Sequence, residues 1–201
     1  MSRGAGLAVA VFVSVAPLLA DAPRLTKQDA ERFQAKLTKI VEFGNAKPTA
    51  KAPKPQSTAV TDAEVNSYLR FIAGPQIPVG IVEPLLTAMG DGRVSGRAIV
   101  DLDAVRKQKQ RGWLDPLAYL GGQLPVTAAG RLTTKDGKGQ FLLESAEIKG
   151  VPIPKAVLQE LLTYYSRTAE NPAGIDMDAP FELPARIREI RVGSGTSTVV
   201  Q

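Results

Sequence analysis

Two pairs of carboxylates, Asp101-Leu-Asp103 and Asp176-Met-Asp178, have a spacing that could hold a hard cation through oxygen ligands. Neither set is complete. Asp101 ends an alternating strand pattern and Asp103 is placed to cap a helix, while the second pair lacks the glycine and distal glutamate of a calcium loop. Carboxylate pairs also serve glycosidases, but a sugar platform draws on aromatic rings, and aromatics make up 5% of the chain with one Trp. Gly121-Gly122-Gln123 copies the catalytic tripeptide of translation release factors, yet it follows an apolar cluster and reads as a turn. The chain has no Cys and no His, which removes thiolate nucleophiles, Ser-His and Cys-His dyads, imidazole bases and nearly every zinc or copper site. No phosphate loop or dinucleotide fingerprint is present, since Gly90-Asp-Gly92 falls in a hairpin. The expectation is a non-enzymatic chain with no metal and no cofactor, a carboxylate hydrolase ranking last.

Charge narrows the partners. The net charge is +5 over 201 residues, but residues 1–58 hold nine Lys and Arg against four Asp and Glu, and the rest of the chain balances. A nucleic-acid binder needs its positive charge clustered on a folded face, so no nucleic-acid partner is expected. Arg3 precedes an apolar run from Ala5 to Ala20 broken by Pro17, shorter than the roughly 20 residues of a spanning helix. Residues 1–22 therefore read as a signal peptide, with cleavage after Ala20 or Ala22, and the protein as periplasmic or secreted; an uncleaved anchor is the alternative.

The elements that must position any site follow. Thr26 caps a predicted amphipathic helix within residues 23–43 whose apolar stripe is Ala30, Phe33, Leu37, Ile40 and Val41. Residues 44–59, rich in Lys and Pro, read as an extended tether, which leaves the helix free to meet an envelope partner. The α+β body, residues 60–201, opens with the capping box Thr61-Asp-Ala-Glu64 and a helix carrying Val65, Tyr68, Leu69 and Ile72. Hairpin turns at Asp91-Gly92 and Asp136-Gly137 join alternating segments, and a third hairpin runs from Ile187 to Val200. The fold class is α+β: an antiparallel, curved, hairpin-rich sheet of about six strands with two or three helices packed on one face.

Small residues Gly96, Ala98, Ala128 and Gly130 alternate inward along two strands beneath a helix from Lys155 to Tyr165. Either the helix fills that space by close approach, or an apolar cleft remains for an acyl chain or similar molecule. The candidate lining is Leu69, Ile72, Val94, Ala98, Val100, Ala128, Leu132, Phe141, Leu143, Val157, Leu158, Leu161 and Tyr165. A basic turn beside the lone tryptophan (Arg106, Lys107, Lys109, Arg111 and Trp113) would suit peripheral contact with an anionic membrane surface, or is a solvated face with the ring buried.

Four motifs together carry a resemblance: TDAEVNSYL from Thr61, Gly92 to Gly96 with a central Val, IKGVPIP from Ile148, and PFELPARI from Pro180. The pattern resembles exported bacterial proteins of the YpmS-like and LmeA-like kind, which are similar in outline to the tubular lipid-binding (TULIP-like) superfamily. That resemblance implies binding or transfer of a lipid-like apolar ligand in the cell envelope. The rival reading is a scaffold or interaction module with a filled core, contacting partners through its N-terminal helix and an edge strand Thr196 to Val200.

Overall fold

The computed structural model describes residues 24–47, 54–108, 121–167 and 171–201. The leader expected in residues 1–22, and Lys109, Arg111 and Trp113, lie outside the described residues. In chain order the elements are α1 (Lys27–Asn45), β1 (Ser57–Thr61), α2 (Asp62–Phe71), β2 (Ile81–Gly90), β3 (Arg93–Asp101) and α3 (Leu102–Gln108). They continue with β4 (Gln123–Lys135), β5 (Lys138–Ile148), β6 (Val151–Pro152), α4 (Lys155–Ser166), β7 (Phe181–Glu182), β8 (Glu189–Val192) and β9 (Thr196–Val200). The fold is α+β, and its strands divide between two antiparallel sheets rather than forming one. The larger has the order β2-β3-β4-β5-β6 with β7 also on β5, and the smaller the order β1-β9-β8.

The hairpins form where the turn chemistry demands. Asp91-Gly92 and Asp136-Gly137 both have positive φ at each central residue, the pattern of a two-residue turn whose twist matches the strands it joins. Lys149-Gly150 repeats it, adding β6 to the sheet edge where the sequence suggested only a turn into the next helix. Irregularities in the β2–β3 and β4–β5 ladders insert extra residues and bend the larger sheet. Register places Leu86, Gly96, Ala128 and Ala146 opposite one another in a row across four strands, on the face that includes Val94, Val100 and Leu132. The opposite face carries Arg93 and Arg131 in direct opposition, with Glu144 3.5 and 3.7 Å from their Nε atoms. Like charges so placed repel, and Glu144 between them offsets that repulsion.

Three expectations need correction. The N-terminal helix is not held apart on a tether: α1 packs along α2, the Thr26 N–H donates to Ser67 Oγ at 3.1 Å, and the chain after residue 56 already belongs to β1. Its stripe residues Ala30 and Ile40 are buried, and Gly44 lies so close to the Ala185 backbone that a Cβ would sit 2.5 Å from it. Thr196–Val200 is no edge strand but the centre of its sheet, paired with β1 and β8. The buried core sits between these parts, where Ile40, Leu183 and Ile187 meet with Ala185, Ile190 and Val199 around them.

The third correction concerns α2. Val65, Tyr68, Leu69 and Ile72 are only half buried, while Glu64, Asn66 and Ser67 are buried. The reason is the free edge of β2. The Asn66 amide donates Nδ2–H to Leu86 O and accepts from Leu86 N–H, both at 2.7 Å, so it stands in for a neighbouring strand. One turn earlier, the Asp62 carboxylate accepts from the Ala88 N–H at 3.0 Å. Edge groups that would otherwise recruit another chain are thereby satisfied from within. Thr134 does the same between the sheets, its hydroxyl donating to Ile190 O and accepting from Ile190 N–H.

Candidate functional site

α4 reaches the larger sheet along β5, and between them lies a cavity of about 580 Å³. Its floor is Ala128, Phe141 and Leu143 from β4 and β5; its roof is Leu158 and Leu162 from α4; and the segment from Ile175 to Phe181 closes one side. Ten of the eleven lining residues are apolar, and the exception is Asp176. The volume falls within the roughly 300–1,000 Å³ of small-molecule sites.

The small residues of the floor serve two purposes. Gly130 lies under the Phe141 ring and Gly139 under the Phe181 ring, each so close that a Cβ would come within 2.6 Å of ring carbon. Gly96 is covered by Leu86, whose Cδ2 would lie 3.3 Å from an added Cβ. These glycines thus seat side chains of their own sheet and do not admit the helix backbone. Ala128 differs: it faces the open volume beneath α4.

The roof and side wall are bonded to each other. Gln159 on α4 donates to Ile175 O at 2.9 Å and accepts from Met177 N–H at 2.8 Å, gripping the chain on both sides of Asp176. Ser166 Oγ accepts from Ile175 N–H at 2.7 Å, and Lys155 Nζ reaches both Asp178 oxygens at 2.6 and 2.7 Å. To the sheet, Gln140 on β5 donates to Asp178 O at 3.0 Å.

Of the residues expected to line a cleft, Ala128, Phe141, Leu143 and Leu158 meet in this cavity. Val94, Val100 and Leu132 share the sheet face but stand outside its wall. Ala98 borders a separate depression of about 360 Å³ with Arg97 and Thr127, and Leu161 is half buried outside the lining. Val157 is 45% exposed and outside the lining, and Ile72 is half buried at the end of α2. The side chain of Tyr165 is outside the described residues. The candidate lining left out Leu162, which helical spacing puts on the same face as Leu158, and the wall from Ile175 to Phe181. Leu162 lies four residues after Leu158, so helical spacing was signal enough for it; the wall has no periodicity, and only the Pro180-Phe181 motif marked it.

Leu69 instead lines a wider depression of about 710 Å³ between α2, residues 74–80 and the bulged start of β2. Arg70 and Glu83 border it, and Phe71, Val79 and Val82 are exposed at its rim. Its walls combine charged side chains with an irregular turn, so it lacks the two apolar layers of the α4 cavity.

The carboxylate pairs have structural roles. Asp101, not Asp103, caps α3, accepting from Ala104 N–H at 2.9 Å; Asp103 accepts from Gly122 N–H. Asp178 is held by Lys155. Gly122, with positive φ, makes the turn expected of the Gly-Gly-Gln tripeptide. Lys107 is exposed on α3, the short helix that also carries the Arg106 backbone.

Taken together, the chain is an α+β protein with an apolar cavity between a helix and the face of an antiparallel sheet. No protein-family model matches it, and no curated protein does. A crystal structure of lipopolysaccharide binding protein is similar at 14% identity and a TM-score of 0.22, the match covering 77% of this chain and 46% of that one. The chain thus spans less than half of that protein's length, and a likeness so loose carries no argument about ligand or fold.

Proposed function

We propose that the chain is an exported, non-enzymatic protein that holds or transfers a lipid-like apolar molecule in the cavity beneath α4. The observation that carries this reading is the lining: five apolar residues of sheet and helix and five more from the partly exposed wall between Ile175 and Phe181 border a volume that none of the three fills. Leaving so much apolar surface unpacked forfeits stabilisation of roughly 25 cal/mol for each Å² not removed from water, and an apolar occupant would restore it. The motifs resembling YpmS-like and LmeA-like proteins, and through them the TULIP-like superfamily, favour the same ligand class. The apolar run near the N-terminus favours the envelope as its place of work.

The test is native mass spectrometry of the full chain purified without detergent, followed by solvent extraction of anything released. A stoichiometric apolar molecule is the expected result, together with its loss in Leu158→Glu, which puts a charge in the roof. A clean apo mass with no uptake of added envelope lipids would overturn the proposal. The interaction-module reading would then take its place, now resting on Phe71, Val79 and Val82 around the second depression, where apolar side chains stand exposed.

A further inference from the structure

We infer that the α4 cavity selects a molecule whose chain is apolar and whose polar end is uncharged or cationic, and that Asp176 sets this preference. The inference rests on the reading just proposed and adds the chemical class of the ligand's end group.

Charge arrangement at the cavity wall leads to it. Asp176 is the one charged residue in the lining, and it occupies the exposed side of the wall, where a bound amphiphile would present its polar end. Its position is fixed from both sides, because the Gln159 amide holds Ile175 O and Met177 N–H. Its own Oδ1 accepts from Asp178 N–H at 2.9 Å, which anchors the carboxylate but adds no positive charge. The nearby cations are engaged elsewhere: Lys155 bonds both oxygens of Asp178, and Lys138 pairs with Glu182 at 3.8 Å on the strand that carries Phe181. No Lys or Arg among the described residues forms an ion pair with Asp176. Asp176 is therefore the carboxylate of this wall without a cation paired to it among the described residues, over an interior lined otherwise by apolar side chains. A carboxylate or phosphate end group would meet like charge there, whereas a hydroxyl, amide or ammonium would not.

The experiment compares probes that share one chain and differ at the end: hexadecanol, hexadecylamine and hexadecanoate, each competed against the others on the full chain at neutral pH and low salt, with native mass spectrometry as readout. Hexadecylamine and hexadecanol are expected to bind about threefold to fivefold more tightly than hexadecanoate, the scale of an exposed charge contact, with the gap closing as salt is raised. Asp176→Asn should abolish the difference between end groups, and Asp176→Lys should reverse it. Equal binding of all three probes, or a preference that survives in Asp176→Asn, would overturn the role of Asp176 while leaving an occupied cavity. Failure of every probe to bind would instead remove the ligand reading and this inference with it.

Discussion

The end of the molecule built from α1, α2 and the smaller sheet joins buried polar pairs to a packed apolar core, whereas beneath α4 polar bonds tie the helix to the segment from Ile175 to Asp178 and the apolar faces of helix and sheet meet only in part. At the first end Lys36 Nζ bridges both oxygens of Glu64 and the Ala59 carbonyl at 2.7 Å, and Glu64 also closes the capping box of α2. Burial pushes the Glu64 carboxyl up, but Lys36 and the Thr61 N–H together hold it below the ordinary value. At the second end the floor and roof residues Ala128, Phe141, Leu143, Leu158 and Leu162 are all half buried. One region is built for a single arrangement and the other retains room. That difference is what the proposed binding role requires: a well-bonded frame beside a site whose apolar surface is left for something else to cover.

Substitutions can break this contrast, and the largest effect should come from Asn66→Ala. It strips the Leu86 N–H and C=O of their partner at a buried position, and a loss of about 3–4 kcal/mol is expected by denaturant unfolding. Ile40→Ala opens the core cluster and should cost about 3 kcal/mol in the same measurement. Lys36→Met leaves the Glu64 carboxylate without its cation and should cost about 2 kcal/mol near neutral pH. Because the folded pKa of Glu64 is depressed, its pairing contributes above the unfolded value and fades as pH falls through the folded one. Unfolding curves of the wild type and Lys36→Met should therefore converge in acid; a constant gap would show that the ion pair is not the source.

The smallest stability effect belongs to the other end. Ala128→Leu adds volume where the structure has space, so it should change stability by less than about 1 kcal/mol while excluding an apolar ligand. A loss of about 1–3 kcal/mol would mean an overpacked site and erase the distinction between the two regions.

Much of the local structure was legible because it is encoded locally. Thr26 and Thr61 cap the helices expected of them, and the Asp-Gly turns form where the chain needs two residues of positive φ. The alternation of β3 and β4 placed Ala128 and its neighbours on the inward face, and helical spacing placed Leu158 above it. What misled was composition read without partners. Residues 44–59 have little to bury, yet Ser57 onward pairs with β9, and strand pairing needs only backbone groups. Nor did the apolar spacing of α2 show that Asp62 and Asn66 turn toward β2, which has an edge to satisfy.

By itself, then, the amino-acid sequence determined most of the helices and long strands, the caps of α1 and α2, the Asp-Gly turns, the sheet face that is apolar, and the absence of thiol and imidazole chemistry. These follow from interactions within a few residues or from residue type alone. Only the tertiary structure decided that α1 joins the body, that β9 is central, and that Gly130 seats a ring whereas Ala128 faces a cavity. Each of those depends on which distant segment arrives opposite a given residue. Local periodicity cannot specify that, because the same half-buried face serves equally well against a helix, a neighbouring ring or a ligand.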